Sequence, residues 1–218
     1  MKNSCNDRFN EDYYERGIET GVSCYSNFRW IPELTIPLCA AMIESLGIGK
    51  FETILDFGSA KGYVVKAMRL LHREAYGAEI SDYAIQATPE SIREFIFHCD
   101  KDKEKLLGMK FDWILAKDVL EHVDYNDIDS VLDFLNKIGK RVFAAVPLGE
   151  DGKYIIPAYE LDVTHIIRES LEWWISKFKK HNFKVIEATY HMPYIKSNWE
   201  KWGQGNGFFV LSSLHDPK

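Results

Sequence analysis

No stretch of this 218-residue chain comes near the ~20 consecutive apolar residues that a membrane-spanning helix needs. The first residues, MKNSCNDRFNEDYYERG, are too polar to form the apolar centre of a signal peptide. Cysteine is scarce. The four present (Cys5, Cys24, Cys39 and Cys99) lie far apart without a CxxC pair and, with no export signal, read as reduced thiols in a cytoplasmic protein. Basic excess is also missing. A formal net charge of -6 argues against a nucleic-acid backbone as the main partner, because phosphate binding needs a basic face. There is no internal repeat, no low-complexity tract and no proline-rich linker among the seven prolines. The simplest organisation is one structural domain, large enough to bury roughly 70 % of its unfolded surface.

What is present is an alternation of strand-like and helix-like segments. The stretch IPELTIPLCAAMIESLGIG places Leu34, Ile36, Leu38, Ala41, Met42 and Leu46 on a helical stripe that stops at Gly47 to Gly49. TILDF, EAYGAEI, FIFHCD, FDWILA and RVFAAVPL follow as strands, and most are separated by helical segments. Ser81 is placed to cap DYAIQA, and Thr88 to cap a helix opening at TPESIREF. A last helix begins at Ser170, and two β segments, FKVIEATYHM and GFFVLSSL, close the chain without a full helix between them. This predicts an α/β fold with a mostly parallel sheet, helices on both faces and an antiparallel strand at one edge. Residues 1-50 are expected to form a lid segment and a helix packed on the core. Residues 51-218 form the main unit.

Open sheets of this kind bind ligands beyond the C-terminal ends of their strands. Chemistry-bearing residues recur at those places. ETILDFGSAKGYVVKAM is a strand, a tight turn and a helix start, with Gly58 and Gly62 flanking Ser59, Ala60 and Lys61. Glycine there allows positive φ or the close approach of a ligand, and the helix N-terminus attracts a carboxylate or phosphate. Glu79 ends the second strand about 20 residues later, the usual place for a carboxylate that holds two ribose hydroxyls. An adenosine-containing cofactor follows. A nicotinamide dinucleotide fold would show GxGxxG, but the spacing is Gly58-x-Ala60-x-Gly62.

Preceded by Asp56, that loop reads LDFGSAKGY and resembles motif I of the class I S-adenosylmethionine-dependent methyltransferases. YGAEISDYAI is similar to their ribose-binding segment, and FDWILAKDVLEHV to their fourth strand and the stretch after it. SLEWWISKFKKHNFKVIEA is similar to their final helix and sixth strand. The resemblance implies a Rossmann-like methyltransferase fold with a seven-stranded sheet, and S-adenosylmethionine as cofactor. It assigns Asp56, Gly58, Ala60 and Gly62 to the methionine end and adenosine sugar, Glu79 to the ribose and Ile80 to the adenine. It assigns Cys99 and Asp100 to the adenine amino group, with Asp102 competing for that slot, and Ala116 and Asp118 to the amino acid end. Ala60 departs from the usual middle glycine and is expected to keep negative φ. GxAKGY, AxGxEISxYAI and DxTH…WW are also similar to a subgroup that modifies surface polysaccharides and other sugars.

The implied reaction is methyl transfer to a small polar acceptor, a hydroxyl of a sugar or nucleotide-linked sugar. A quinone-like or other small metabolite and a nicotinamide-binding Rossmann protein remain alternatives. For the base, the loop after the fifth strand offers His165, three residues from Asp162 and expected to be oriented by it, with His122 in reserve. EHVD holds Glu121, His122 and Asp124, but adjacent residues do not share a face and no second ligand cluster follows, so no metal is expected. The N-terminal tyrosines are candidates for a mobile cover, while Trp173 and Trp174 suit the core or an interface.

Overall fold

The computed structural model describes residues 8–214; Cys5 lies outside them. Seven strands form one sheet: β1 (Thr53–Phe57), β2 (Glu74–Glu79), β3 (Ile96–His98), β4 (Phe111–Lys117), β5 (Gly139–Pro147), β8 (Phe183–Thr189) and β9 (Asn206–Ser213). A small hairpin of β6 (Gly149–Glu150) and β7 (Lys153–Tyr154) stands apart. The order across the sheet is β3-β2-β1-β4-β5-β9-β8. β1 pairs in parallel with β2 and β4, and β4 with β5, whereas β9 runs antiparallel to both β5 and β8. The antiparallel strand therefore stands one place in from the β8 edge. Strand order reverses between β1 and β4, which puts the crevice of the fold at the ends of those two strands.

Strand alternation builds two separate cores. Ile54, Trp113, Leu115 and Phe143 point to one face and pack with Met42, Val65 and Met68 from the helices Pro32–Leu46 and Tyr63–Leu70. Leu55, Ile114, Val142 and Ala144 point to the other, against Leu132 and Leu135 of helix Ile128–Ile138 and Trp174 and Phe178 of helix Leu171–Lys180. Each large side chain buried this way is worth about 1.5–3 kcal/mol. Trp174 is fully buried, and Trp173 packs against the same core.

Local signals hold at several ends. Gly47 closes its helix in the left-handed conformation, and the hydroxyls of Ser81 and Ser170 accept from Ala84 N and Trp173 N as N-caps. Two expectations fail. Thr88 caps nothing: its hydroxyl donates to Ala84 O (3.2 Å), and residues Glu90–Phe95 form a 3₁₀ turn because the chain must drop straight into β3. Leu34 does not join the core; it is 66 % exposed and borders the cavity described next.

Candidate active site

Beyond the C-terminal ends of β1, β2 and β4 lies a cavity of about 940 Å³. Its floor is the turn after β1. Gly58 (φ 77°) and Gly62 (φ 75°) both need the left-handed region, and a Cβ on Gly58 would stand 2.5 Å from Val119. Ala60 also has positive φ (48°), contrary to expectation. Its amide is the reason: Ala60 N donates to Glu79 Oε2 at 2.6 Å, and that bond fixes the turn. The other Glu79 oxygen accepts from Ile80 N (2.7 Å) and Ser81 N (2.8 Å). One carboxylate thus joins the ends of β1 and β2. Burial raises its pKa, and the three amides offset that only in part.

Most of the residues expected at the cofactor gather here. Asp56, Gly58, Ala60, Glu79, Ile80, Cys99, Asp100 and Asp118 all line the cavity. Gly62 and Ala116 do not; Gly62 instead precedes helix Tyr63–Leu70, and Ala116 is packed into the core. Of the two aspartates after β3, Asp100 faces the cavity, while Asp102 Oδ2 accepts from His98 N at 2.8 Å. Burial, with the charge of Glu79 second, lifts the Asp56 carboxyl to about 7. Asp118 goes the other way: Lys117 and Lys196 each bond one of its oxygens and, against the cost of burial, hold its pKa far below the carboxylate range.

The N-terminal segment closes the cavity from above. Tyr13 and Tyr14 are buried and pack with Phe9, Tyr25, Phe28 and Tyr83. Lys61 does more than fill the loop. Here its ammonium bonds the Glu15 carboxylate and donates to Phe28 O (2.7 Å), strapping this segment to the glycine turn. Ser81 Oγ donates to Phe9 O on the other side. An isolated lysine between small residues carries no sequence mark of a partner 46 residues earlier.

The base candidates are arranged differently from the expectation. His122 lines the cavity, whereas His165 and Asp162 stand behind it. Asp162 does not orient His165. Its Oδ1 accepts from Thr164 N (2.9 Å) and Thr164 Oγ1 (2.6 Å), and its Oδ2 from Tyr13 OH (3.2 Å). An aspartate readily turns back on the amide two residues ahead, and that local bond occupies the carboxylate. His165 is held instead by Tyr159 O at 2.8 Å. The Asp162 chain runs through Thr164 to His122 Nδ1 (2.7 Å). Burial, then the neighbouring His165, lowers the pKa of His122; burial, then the charge of Asp118, raises that of Glu121. Contrary to the reading of Glu121 and His122 as unable to act together, one ligand atom from each lies within 4.8 Å of the other and of one from His165.

A glycine turn, a carboxylate bridging two strand ends and a cavity at the sheet's reversal define a Rossmann-like cofactor-binding domain. Residues 33–213 match the family model of the methyltransferase domain. The chain therefore belongs to the methyltransferase family, whose fold and cofactor, S-adenosylmethionine, are those its motifs imply. Among similar solved structures is a SAM-dependent methyltransferase from Archaeoglobus fulgidus, at 14 % identity and TM-score 0.61, with 80 % of this chain and 92 % of that chain covered. A second is a putative methyltransferase in complex with the Trm112 activator from Haloferax volcanii (15 % identity, TM-score 0.64, 84 % and 92 % covered). A third is the magnesium protoporphyrin IX methyltransferase of Synechocystis with bound SAH (12 % identity, TM-score 0.59, 82 % of each chain). No curated protein matches the chain. Among the described residues no helix is long and apolar enough to cross a membrane.

Proposed function

We propose that this methyltransferase moves a methyl group from S-adenosylmethionine to a hydroxyl of a small polar acceptor, a sugar or a nucleotide-linked sugar. The observation that carries this reading is the single cavity that joins the glycine turn and Glu79 at one end to His122 at the other. Ligand pockets run from about 300 to about 1,000 Å³, so its size leaves room for the cofactor and a small acceptor together. Glu79 would use its remaining lone pairs on the ribose diol, Ile80 and Asp100 would border the adenine, and Asp56 and Asp118 would border the methionine end. The cationic sulfonium suits these acidic walls.

The methyl carbon is already electrophilic, so the main contribution of the protein is alignment, worth on the order of 7–11 kcal/mol. The acceptor oxygen forms its bond to the methyl carbon as the carbon–sulfur bond breaks, and the electron pair stays on sulfur. The hydroxyl proton leaves to His122, which faces the cavity. Thr164 and Asp162 position that ring from behind. Tyr14, Tyr25 and Phe28 offer faces for a sugar ring, and Asp124, Asp127 and Ser130 offer polar contacts at the rim.

A second reading, a quinone-like acceptor, is favoured by the apolar wall of Ile31, Leu34, Leu38 and Met42. An acceptor screen with radiolabelled S-adenosylmethionine separates the two. Label transferred to nucleotide sugars supports the first, and transfer only to hydroxylated quinones replaces it. Absence of a melting shift with S-adenosylmethionine at saturating concentration would overturn both.

A further inference from the structure

Behind the cavity wall, three side chains from two distant segments converge. Glu121 and His122 follow β4, and His165 lies in the loop after β7. The backbone brings them together: Ile166 N and Ile167 N both donate to Glu121 O, at 2.8 and 3.0 Å. The two imidazole rings stand 4.6 Å apart between centroids, and one ligand atom from each of the three residues lies within 4.8 Å of the other two.

Hydrogen bonding fixes what these atoms offer. His165 Nδ1 faces Tyr159 O, which only accepts, so Nδ1 carries the proton and Nε2 keeps a lone pair. The Thr164 hydroxyl donates its one proton to Asp162 Oδ1, so it accepts from His122 Nδ1–H, and His122 likewise presents a lone pair at Nε2. Glu121 Oε2 is buried and has no hydrogen-bond partner among the described residues. The nearby Lys196 ammonium bonds Asp118 and makes no hydrogen bond to this oxygen. A buried oxygen left unpartnered like Glu121 Oε2 is costly, the imidazole lone pairs beside it offer nothing to an ionised carboxylate, and a cation among the three would satisfy them together.

We propose that Glu121, His122 and His165 hold one divalent transition-metal ion of the zinc class beside the methyl-acceptor end of the cavity. Two imidazoles and one carboxylate, without thiolate or an oxygen-rich shell, select Zn²⁺, Co²⁺, Fe²⁺ or Mn²⁺ over Mg²⁺ or Ca²⁺. The Tyr159 carbonyl and the Thr164–Asp162 pair are the outer groups that orient metal-binding histidines. Bonds of about 2.0–2.2 Å place tetrahedral ligand atoms roughly 3.4 Å apart, so the cluster must draw in by about an ångström. Three protein ligands leave a position open. Since His122 borders the cavity, that position faces an acceptor offering oxygen. This last point rests on the methyltransferase reading: in the metal-free chain His122 takes the acceptor proton, whereas an ion at His122 Nε2 would replace that role by polarising the hydroxyl, whose proton would pass to water.

The test uses the full chain, stripped with EDTA and titrated with Co²⁺ by visible absorption and calorimetry. The expected result is one Co²⁺ per chain with ligand-field bands of low coordination number, displaced by Zn²⁺ and untouched by Mg²⁺. Glu121→Gln and His165→Ala should abolish the bands, and Thr164→Val, which removes only the group behind His122, should weaken binding about 10–100-fold. His191→Ala, at an exposed histidine, should bind as the parent does. If a ligand variant fails to fold, Thr164→Val and the Zn²⁺-induced melting shift carry the decision. No stoichiometric Co²⁺ binding, or binding unchanged in Glu121→Gln and His165→Ala, overturns the site. Calorimetry with S-adenosylmethionine on the same metal-free sample reads the methyltransferase assignment separately.

Discussion

The ammonium of Lys61, in the turn that floors the cavity, is bonded to the carboxylate of Glu15, in the segment that roofs it. Lys61 also holds Phe28 O, and Tyr83 OH donates to the same Glu15 oxygen at 2.9 Å. Roof and floor are thus joined by a largely buried ion pair and not by aromatic packing alone.

Lys61→Met should loosen the roof. Removing one charge of such a pair leaves the other poorly solvated, at a cost of about 1.5–3 kcal/mol. For a chain of this size, that lowers the melting temperature by roughly 4–10 °C. Amide exchange over residues 9–30 should rise more than exchange in β1 or β4. Equal protection in the variant would show that the strap does not hold the segment.

Glu79→Ala should weaken S-adenosylmethionine by roughly 10–150-fold, the worth of hydrogen bonds to a charged group. The variant also frees Ala60 N, so the glycine turn should lose order even without cofactor. Unaltered affinity by calorimetry would remove Glu79 from the ribose.

Asp56 sets a pH dependence. Its folded value of about 7 lies above the ordinary 3.8, because of burial and then Glu79. Between about pH 4 and about pH 7 the folded chain therefore keeps a proton that the unfolded chain has lost, and stability falls as pH rises through that window. Asp56→Asn has no such proton. In urea unfolding, the variant should gain on the parent from about pH 5 to about pH 7 and gain no more above it. A constant difference would count against the buried acid. Cofactor affinity of the parent should rise over the same interval, as the carboxylate ionises to meet a cationic ligand.

His122→Ala should lower turnover by about 10²–10⁴-fold with little change in cofactor affinity. Thr164→Val should lower kcat by misorienting the ring, and Thr164→Ser, which keeps the hydroxyl, should restore it. If valine and serine behave alike, Thr164 is structural only.

Ala60→Gly relieves a left-handed alanine, which costs roughly 1–2 kcal/mol, against an unfolded-chain penalty of about 0.4–1 kcal/mol. The expected net effect is a stabilisation of about 0.5 kcal/mol with cofactor binding retained. A marked loss of stability would mean that the Ala60 methyl packs against the aromatic roof more tightly than its contacts imply.

Much of this was legible in the chain because it is local. The short apolar runs TILDF and FDWILA, the serine caps and the glycines at positive φ each depend on neighbours a few residues away, and the ordered motifs carry the resemblance to the family. The loop after β5 was not legible in the same way. Asp162 and His165 stand three apart, and spacing paired them, but an aspartate's own turn bond to Thr164 outcompeted that pairing. Likewise, adjacency in EHVD hides the fact that a third ligand arrives from 43 residues away.

By itself, the sequence determined the alternation of strands and helices and the cofactor-facing turn, since these follow from periodicity, backbone conformation and short-range hydrogen bonding, and its ordered motifs carried the resemblance to the family. Only the tertiary structure decided which histidine faces the cavity, which aspartate orients it, what Lys61 holds and where Glu121 meets two imidazoles. Those relations are contacts between segments far apart in the chain, and their geometry exists only once both cores have packed and the ends of β1, β2 and β4 have been brought side by side.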